Sequence, residues 1–551
     1  MDKRARDLIE QGNHLFEKRS ALMSLWQEIA DNFYPERGHF TVSPTMGEDF
    51  ASHLTTSYPL LARRELGDAF SAMLRPPGQE WFKMGLSREE REDAQGRAWL
   101  QEMTKRQRRA MYDRAACFIR ATSEGDHDFA AFGQCAITVE YDRNAIAMLY
   151  RSWHLADVAW CEGANGRITE VHRKWKPTIR DLERLFPGKL HKTMVDAGRD
   201  KPYTEANIRH IVVPSDAYGE MDKKMRRLPF IEVYIDVDNQ HVIEETPLFG
   251  QKFVIPRWKT VSGSQYATSP ATVIALPDAR LIQAMTGALL EASEKAANPP
   301  MAGVREAIRG DLDLRAGGFT ALEADYDERL GEVLRPIATE WRGVPIGIEV
   351  SDRVTAMIEK AFFLNKLSMP PAGSGPEMTA FEVGQRVQQY IREAIPLFGP
   401  METEYNGALC DSTFEHLLRN GAFGPANEMP KSLSGQEIQF RFESPLTEAI
   451  ERKKGQMFLE AKGMLVQAAE LDPSVVPILD APKALRDVLR GYGTPEIWTR
   501  DEEAVAAMTA QQQEAQEGEE AMMAAQQGAD VVATMANAAG AVQQPEQAVA
   551  A

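Results

Sequence analysis

The chain has 551 residues, 43% hydrophobic and 26% charged, a balance that fits a folded protein and excludes a disordered one. Its 63 Lys and Arg face 81 Asp and Glu, a formal net charge of -18, which argues against a globally basic nucleic-acid binder. The four cysteines, Cys117, Cys135, Cys161 and Cys410, form no C-x-x-C pair, so neither a disulfide scaffold nor a structural zinc site is indicated.

Apolar residues recur at helical spacing from Asp7 to Phe33 and predict one amphipathic helix ending at Pro35. The start shows no signal-peptide pattern, and no apolar run is expected to reach the ~20 residues that span a bilayer. The expectation is a protein made in a cytoplasm and not inserted in a membrane. Tyr34 to Phe40 reads as a loop. A second helix is predicted over Tyr58–Leu74, stopped by Arg75-Pro-Pro-Gly78, with Trp81 and Phe82 extended behind it. A third, highly charged helix is predicted from Arg88 to about Thr122. Its Lys105, Arg106, Arg108 and Arg109 read as a solvated face. Alternation then predicts a hairpin turning at Asp142-Arg-Asn144. Further strands are expected at Ile168–Trp175, Ile208–Val213, Phe230–Val237 and Phe253–Trp258, with a helix over Thr178–Phe186. The first half is therefore an α+β body.

The second half is mainly helical. Helices are predicted over Pro277–Ala297 and Asp352–Leu367, flanking a short mixed region with Gly317-Gly318. A Pro- and Gly-rich loop follows. A long helix from Thr379 to about Asn420 must break near Pro396 and Pro400. Ile438, Phe440 and Phe442 alternate as a strand, and helices are expected over Leu446–Glu470 and Ala481–Gly491. No Lys or Arg occurs after Arg500, and the Ala- and Gln-rich tail has a composition compatible with helix or disorder.

Motifs for chemistry are missing. Gly188-Lys189 lacks the first glycine and the Ser or Thr of a phosphate-binding loop. Asp126-His127-Asp128 reads as a polar loop, not a metal or acid–base cluster. Asp311-Leu-Asp313 fails as a calcium loop because Arg315 stands where an oxygen ligand is needed. Cys135 and Cys161 read as small core residues. Nothing argues for an enzyme, and no cofactor or metal is implied.

Six stretches, in order, carry a resemblance: Tyr34-Pro35; Leu74 to Phe82, ending in Trp81-Phe82; Phe132-Gly133; Pro256-Arg257-Trp258 with Tyr266 to Pro270, Ala275 to Arg280 and Asn298-Pro-Pro300; Pro376 to Val383; and Ile438 to Leu446. Together they resemble the portal, or head-to-tail connector, proteins of short-tailed bacteriophages. Ala267-Thr268-Ser269 departs from the Gly and Arg usual in the family's fourth stretch. The resemblance implies an α+β, predominantly helical portal fold assembled as a dodecameric ring. It implies a wing over 1–270, a first stem helix over 271–298, a clip over 299–350 and a second stem helix over 351–367. A tunnel loop over 368–378, a wing helix and return strand over 379–445, a crown over 446–503 and an acidic tail or barrel over 504–551 complete it.

The same resemblance implies the site residues. The tunnel loop would bring Ser368, Met369, Pro370, Pro371, Gly373, Ser374, Gly375 and Glu377 to a DNA channel, touching DNA sterically; a plain surface linker is the other reading. Lys360 and Lys366 would be either channel cations or partners in intersubunit salt bridges. Arg335, Glu340, Trp341 and Arg342 would dock partners on the clip, with burial between neighbouring clips as the alternative for Trp341. The implied partners are other copies of the chain, double-stranded DNA, a terminase large subunit that hydrolyses ATP, a tail adaptor, and capsid and scaffold or core proteins. The implied location is the capsid portal vertex of the virion, after assembly in the host cytoplasm.

Overall fold

The structure is a computed structural model. It describes residues 2–43, 45, 47, 49–76, 78–87, 95–142, 146–218, 228–297, 347–364, 399, 401–425 and 429–442, and parts of 455–511. It describes the backbone alone at 94, 301–303, 308–309, 321–322, 334–336 and 343–346. The chain divides into two compact units. The larger comprises 1–85, 103–428 and 438–447; the smaller comprises 86–102, 429–437 and 448–551.

In the larger unit the amphipathic N-terminus forms two helices, α1 (Lys3–Lys18) and α2 (Ser20–Phe33), not one. Arg19 causes the break. Its buried guanidinium donates to the carbonyls of Leu155, Ala156 and Val158 at 2.7, 2.5 and 2.8 Å, so this residue leaves the helix to cap a remote turn. Helix α3 spans Tyr58–Leu74, as the sequence predicts, and strand β1 (Phe82–Leu86) follows. The charged helix is also split, into α4 (Ala94–Met111) and α5 (Phe118–Phe132). Asp113 caps a short 3-10 turn and Cys117 takes φ 55°, which swings Phe118 among Trp81, Tyr112 and Tyr150. Burial of this large ring outweighs the continuity of one helix.

Strands β2 (Ala136–Asp142) and β3 (Ala147–Trp153) form the expected hairpin. A five-stranded antiparallel sheet follows, ordered β4 (Val158–Glu162), β5 (Ile168–Trp175), β6 (Ile208–Pro214), β7 (Phe230–Asp236) and β8 (His241–Leu248). On one face Ala5 and Leu8 of α1 pack on Ile211, Val213, Ile231, Val233 and Ile235. On the other, α6 (Ile179–Leu185) and α7 (Lys192–Asp200) pack Ile179, Leu182 and Met194 around Ile208 and Ile243. With both faces covered, β6 is buried almost throughout, Arg209 and His210 included. Strand β9 (Phe253–Val254) joins β2 and is much shorter than the predicted Phe253–Trp258.

Helix α8 runs from Pro270 to Ala297 with Pro277 inside it, and α9 from Gly343 to Ala361. Between them lie two two-stranded antiparallel pairs, β10 (Met301–Gly303) with β13 (Leu334–Pro336) and β11 (Ile308–Arg309) with β12 (Ala321–Leu322). Helix α9 begins before the expected Asp352. It ends at Ala361 because Phe362 turns into the core against Phe33 and Phe363 takes φ 59°. A π-helix at Glu402–Gly407 leads into the helix Ala408–Arg419, and β14 (Ile438–Phe442) pairs with β1. In the smaller unit the described residues include helical stretches at 457–468 and Ala481–Gly491.

Two buried histidines set an acid limit on this body. Burial pushes His154 and His210 down to about 4. The unfolded chain takes up those protons near pH 6.5, so stability is full above that pH and falls as pH drops toward 4. Burial alone would raise the Glu232 carboxyl, but Lys252 and His210 outweigh it and hold it low, which adds a loss below the ordinary carboxylate range. Urea unfolding at low protein concentration should show a loss of about 2 kcal/mol per histidine between pH 7 and pH 5. A flat profile over that window would contradict this account.

Candidate functional site

The last turn of α5 exposes carbonyls that no helical N–H can reach. Gly133 takes φ 73° and its N–H returns to the Phe129 carbonyl at 2.8 Å. The next two carbonyls are met by the start of α8. Ser269 Oγ donates to Ala130 O and Thr272 Oγ1 donates to Ala131 O, each at 2.7 Å. Ser269 also caps α8, since its Oγ accepts from the Thr272 N–H at 3.4 Å. One hydroxyl thus serves the end of one helix and the start of another. The fit is tight: a Cβ on Gly133 would lie 2.2 Å from the Thr268 carbonyl carbon. Around the joint, the Gly133 carbonyl accepts from Trp258 N–H at 2.8 Å, and Gln134 Oε1 accepts from Ala267 N–H at 2.9 Å. Trp258 stacks on Phe129, and Tyr266 sits against Trp26 and Trp160.

The helix pair is fixed again further along. Arg280 pairs with Glu28 of α2. The Gln283 amide accepts from the N–H groups of Thr55 and Thr56 at 2.8 and 3.0 Å and donates to Thr56 O at 2.9 Å. On α9, Glu359 accepts from Tyr58 O–H at 2.8 Å. Val354, Ile358, Ala361 and Phe362 are buried, and Gly347 lies against Leu289. The contacts 347 to 289 and 359 to α3 make the pair antiparallel. Away from these anchors both helices present apolar side chains outward: Val273, Ile274, Leu281 and Leu290 on α8, and Ile348, Val350 and Met357 on α9. Helix α8 is 28 residues long and, by length and composition, apolar enough to reach membrane-spanning size. That corrects the expectation that no segment does.

The triplet Asp126-His127-Asp128 lies within α5 and not in a loop. Its three side chains meet three arginines. Asp126 binds Arg75, which also donates to Asn406 Oδ1 at 2.7 Å and lies over the Tyr405 ring. Asp128 takes a two-point bond from Arg37 at 2.9 and 2.7 Å. His127 Nδ1 lies 3.0 Å from Arg63, which covers the Tyr34 ring. Burial disfavours the Arg75 charge, but Asp126 outweighs burial and holds the guanidinium protonated. Burial also pushes the Asp126 carboxyl up while Arg75 opposes it. Paired so closely, both groups act as one internal ion pair, a structural arrangement and not an acid–base couple. The Cys135 and Cys410 thiols are raised well above their usual range by burial, which leaves them unreactive.

Of the residues singled out in the sequence, Lys360 is exposed on the last turn of α9. Arg335 lies on β13 opposite Ala302. Lys366, Glu340, Trp341, Arg342 and the loop residues Ser368 to Glu377 lie outside the described residues. The residues that hold α8, Ser269, Thr272 and Gln283, were not singled out as site residues. A Ser just before Pro270 at a helix start was the available signal.

The model of the bacteriophage head to tail connecting protein family matches residues 5–497, and the chain belongs to that family. It is a phage portal protein. It is 24% identical over 495 residues to a probable portal protein of Bordetella phage BPP-1, covering 86% of this chain and 85% of that one. It is 21% identical over 569 residues to the portal protein of Salmonella phage epsilon15, covering 98% and 99%. Among solved structures it is similar to a chain of the virion of a native gene transfer agent particle. There the TM-score is 0.35 and the identity 9%, over 76% of this chain and 91% of that one.

Substitutions at three positions, Arg75, Ser269 and Gly133, probe the joint and the buried ion pair beside it. Arg75→Ala leaves the Asp126 carboxyl buried and unpaired and should cost about 3–5 kcal/mol in urea unfolding, with the Arg75→Ala/Asp126→Ala double variant losing less than the sum. Ser269→Ala should cost about 1 kcal/mol through the cap. Gly133→Ala should be far worse, because both its positive φ and the Thr268 backbone forbid the methyl.

Proposed function

We propose that twelve copies of this chain close into a ring at one capsid vertex, forming the conduit through which the genome is packaged and later ejected. The observation that carries this reading is the α8/α9 pair. It is anchored at its base by paired hydroxyl caps and a glutamine clamp, yet it leaves apolar side chains from Val273 to Met357 outward. An isolated subunit gains nothing from such a surface; neighbouring copies cover it in a ring. A closed ring needs two different complementary surfaces on each subunit, which two helices with unlike outward faces supply.

On this reading α8 and α9 are the stem, and the four short strands between them belong to the clip expected over 299–350, whose last residues, from Gly343, fall on α9. Arg335, Glu340, Trp341 and Arg342 there dock the terminase and later the tail adaptor. The loop 368–378 reaches the channel, Lys360 and Lys366 lie near it, residues 446–503 form the crown, and residues 1–270 with 379–445 form the wing that meets capsid and scaffold. The role is structural: the terminase hydrolyses ATP and this chain guides DNA.

Leu281→Glu with Leu290→Glu places charge on the outward face without touching the anchored one. Ring yield by native mass should fall at least tenfold while far-UV circular dichroism of the subunit stays unchanged; rings formed at wild-type yield would overturn the stem assignment. Deleting Ala372–Gly375 should lower DNA packaging or retention in assembled particles, and an unchanged yield of filled particles would remove the loop from the mechanism.

A further inference from the structure

Helix α1 crosses the five-stranded sheet, and the contact changes character along its length. The first half packs Ala5 and Leu8 on aliphatic strand residues. The second half places Phe16 over two cations. Lys174 on β5 and Arg209 on β6 are directly opposite in the ladder. Like charges opposite one another across a strand pair repel. Lys174 Nζ lies 4.2 Å and the Arg209 guanidinium 4.9 Å from the Phe16 ring centre. Arg19 approaches the same ring at 4.8 Å, but its two terminal nitrogens are taken by carbonyls.

Arg209 is the anomaly. It is 4% exposed, and its one partner is the Asn13 side-chain oxygen, at 2.9 Å. Its Nε and one terminal nitrogen have no partner. Burial pushes it down to about 10, and no carboxylate acts against that. The neighbouring Glu170 is already taken by Gln11 and His172, at 2.8 and 2.6 Å. Asp157 is the acid that faces the cluster. Burial pushes its carboxyl up, and it faces Lys174, Arg19, Arg173 and Lys176 at once. Lys174, exposed, makes no ion pair among the described residues. A buried, unmatched cation is costly unless an anion joins it.

We propose that Asn13, Phe16, Lys174 and Arg209 form an oxyanion-binding site that takes a carboxylate side chain from a second copy of this chain. The occupant rests on the ring reading above. A chain with 81 acidic and 63 basic residues offers carboxylates in surplus, and a contact between such copies needs a cationic socket. Duplex DNA would require cations in a row along its backbone, whereas here Lys174 and Arg209 crowd one ring and the nearby Arg19 is already bound to carbonyls. The exposed Lys174 ammonium meets the carboxylate directly, the buried and unpartnered Arg209 guanidinium adds its charge from beneath, and Phe16 closes one side of the socket.

Inorganic phosphate is the probe, set against chloride at matched ionic strength, on the full chain. Phosphate should raise the unfolding midpoint of dissociated wild-type protein by about 2–3 °C in a saturable way. Lys174→Gln should lose that response, although its own stability in phosphate-free buffer changes little, because relief of the repulsion with Arg209 is offset by the lost attraction to Asp157. Assembled wild-type protein should dissociate at lower phosphate than chloride concentration, and that difference should vanish in Lys174→Gln. An equal phosphate response in both proteins, or none beyond chloride, overturns the site. A phosphate-specific thermal response with an assembly that splits alike in both salts overturns the second-copy occupant. Failure of the wild type to assemble at all overturns the ring reading and that occupant together, and the thermal response then reports on the oxyanion site alone.

Discussion

Two hydroxyls at the start of α8 close the end of α5, and the positions of the other functional elements follow from that joint. Ser269 and Thr272 satisfy the carbonyls of Ala130 and Ala131. A buried carbonyl left without a partner costs about 1–3 kcal/mol, so the joint tolerates few other geometries. It sets where α8 starts, and Gly133 sets how closely the two chains approach. Arg280 and Gln283 then hold the helix against α2 and the Thr55–Thr56 segment.

The arginines of the body act in the same way. Arg19 caps a remote turn, Arg75 ties α5 to Asn406 in the π-helix, and Arg37 fixes Asp128. The π-helix places Tyr405 and Asn406 against the buried pair, where an added residue per turn shifts the side chains out of α-helical register. Buried ion pairs of this sort contribute less net stability than their number suggests, since desolvation offsets attraction. Their geometric demands, by contrast, are strict. Arg209 stands apart from these three because its guanidinium lacks such closure within the described residues.

Much of the fold was legible in the sequence where one physical signal dominates. Helix Tyr58–Leu74, strand Ile168–Trp175 and helix Ala481–Gly491 match their apolar period to the residue. The three central strands of the five-stranded sheet were readable from their β-branched and aromatic residues. Its two edges, β4 and β8, were not, being short in one case and polar in the other, as edge strands often are. The breaks at Arg19 and Cys117 left no local trace, since each serves a partner more than thirty residues away. The order of motifs announced the family, but the motifs Phe132-Gly133 and Tyr266 to Pro270 gave no hint that they meet. Their meeting is the joint itself. The acidic triplet read as a loop because nothing local marks three arginines that lie between 51 and 91 residues upstream.

The central claim is that the outward faces of α8 and α9 exist to be covered by neighbouring copies around a channel. Native mass of the purified chain, with negative-stain images of the same sample, tests it most directly. The account requires a closed ring of about twelve subunits with a central hole. A chain that stays monomeric at high concentration, even with its capsid's scaffold proteins present, or that forms a compact dimer without a hole, would contradict it.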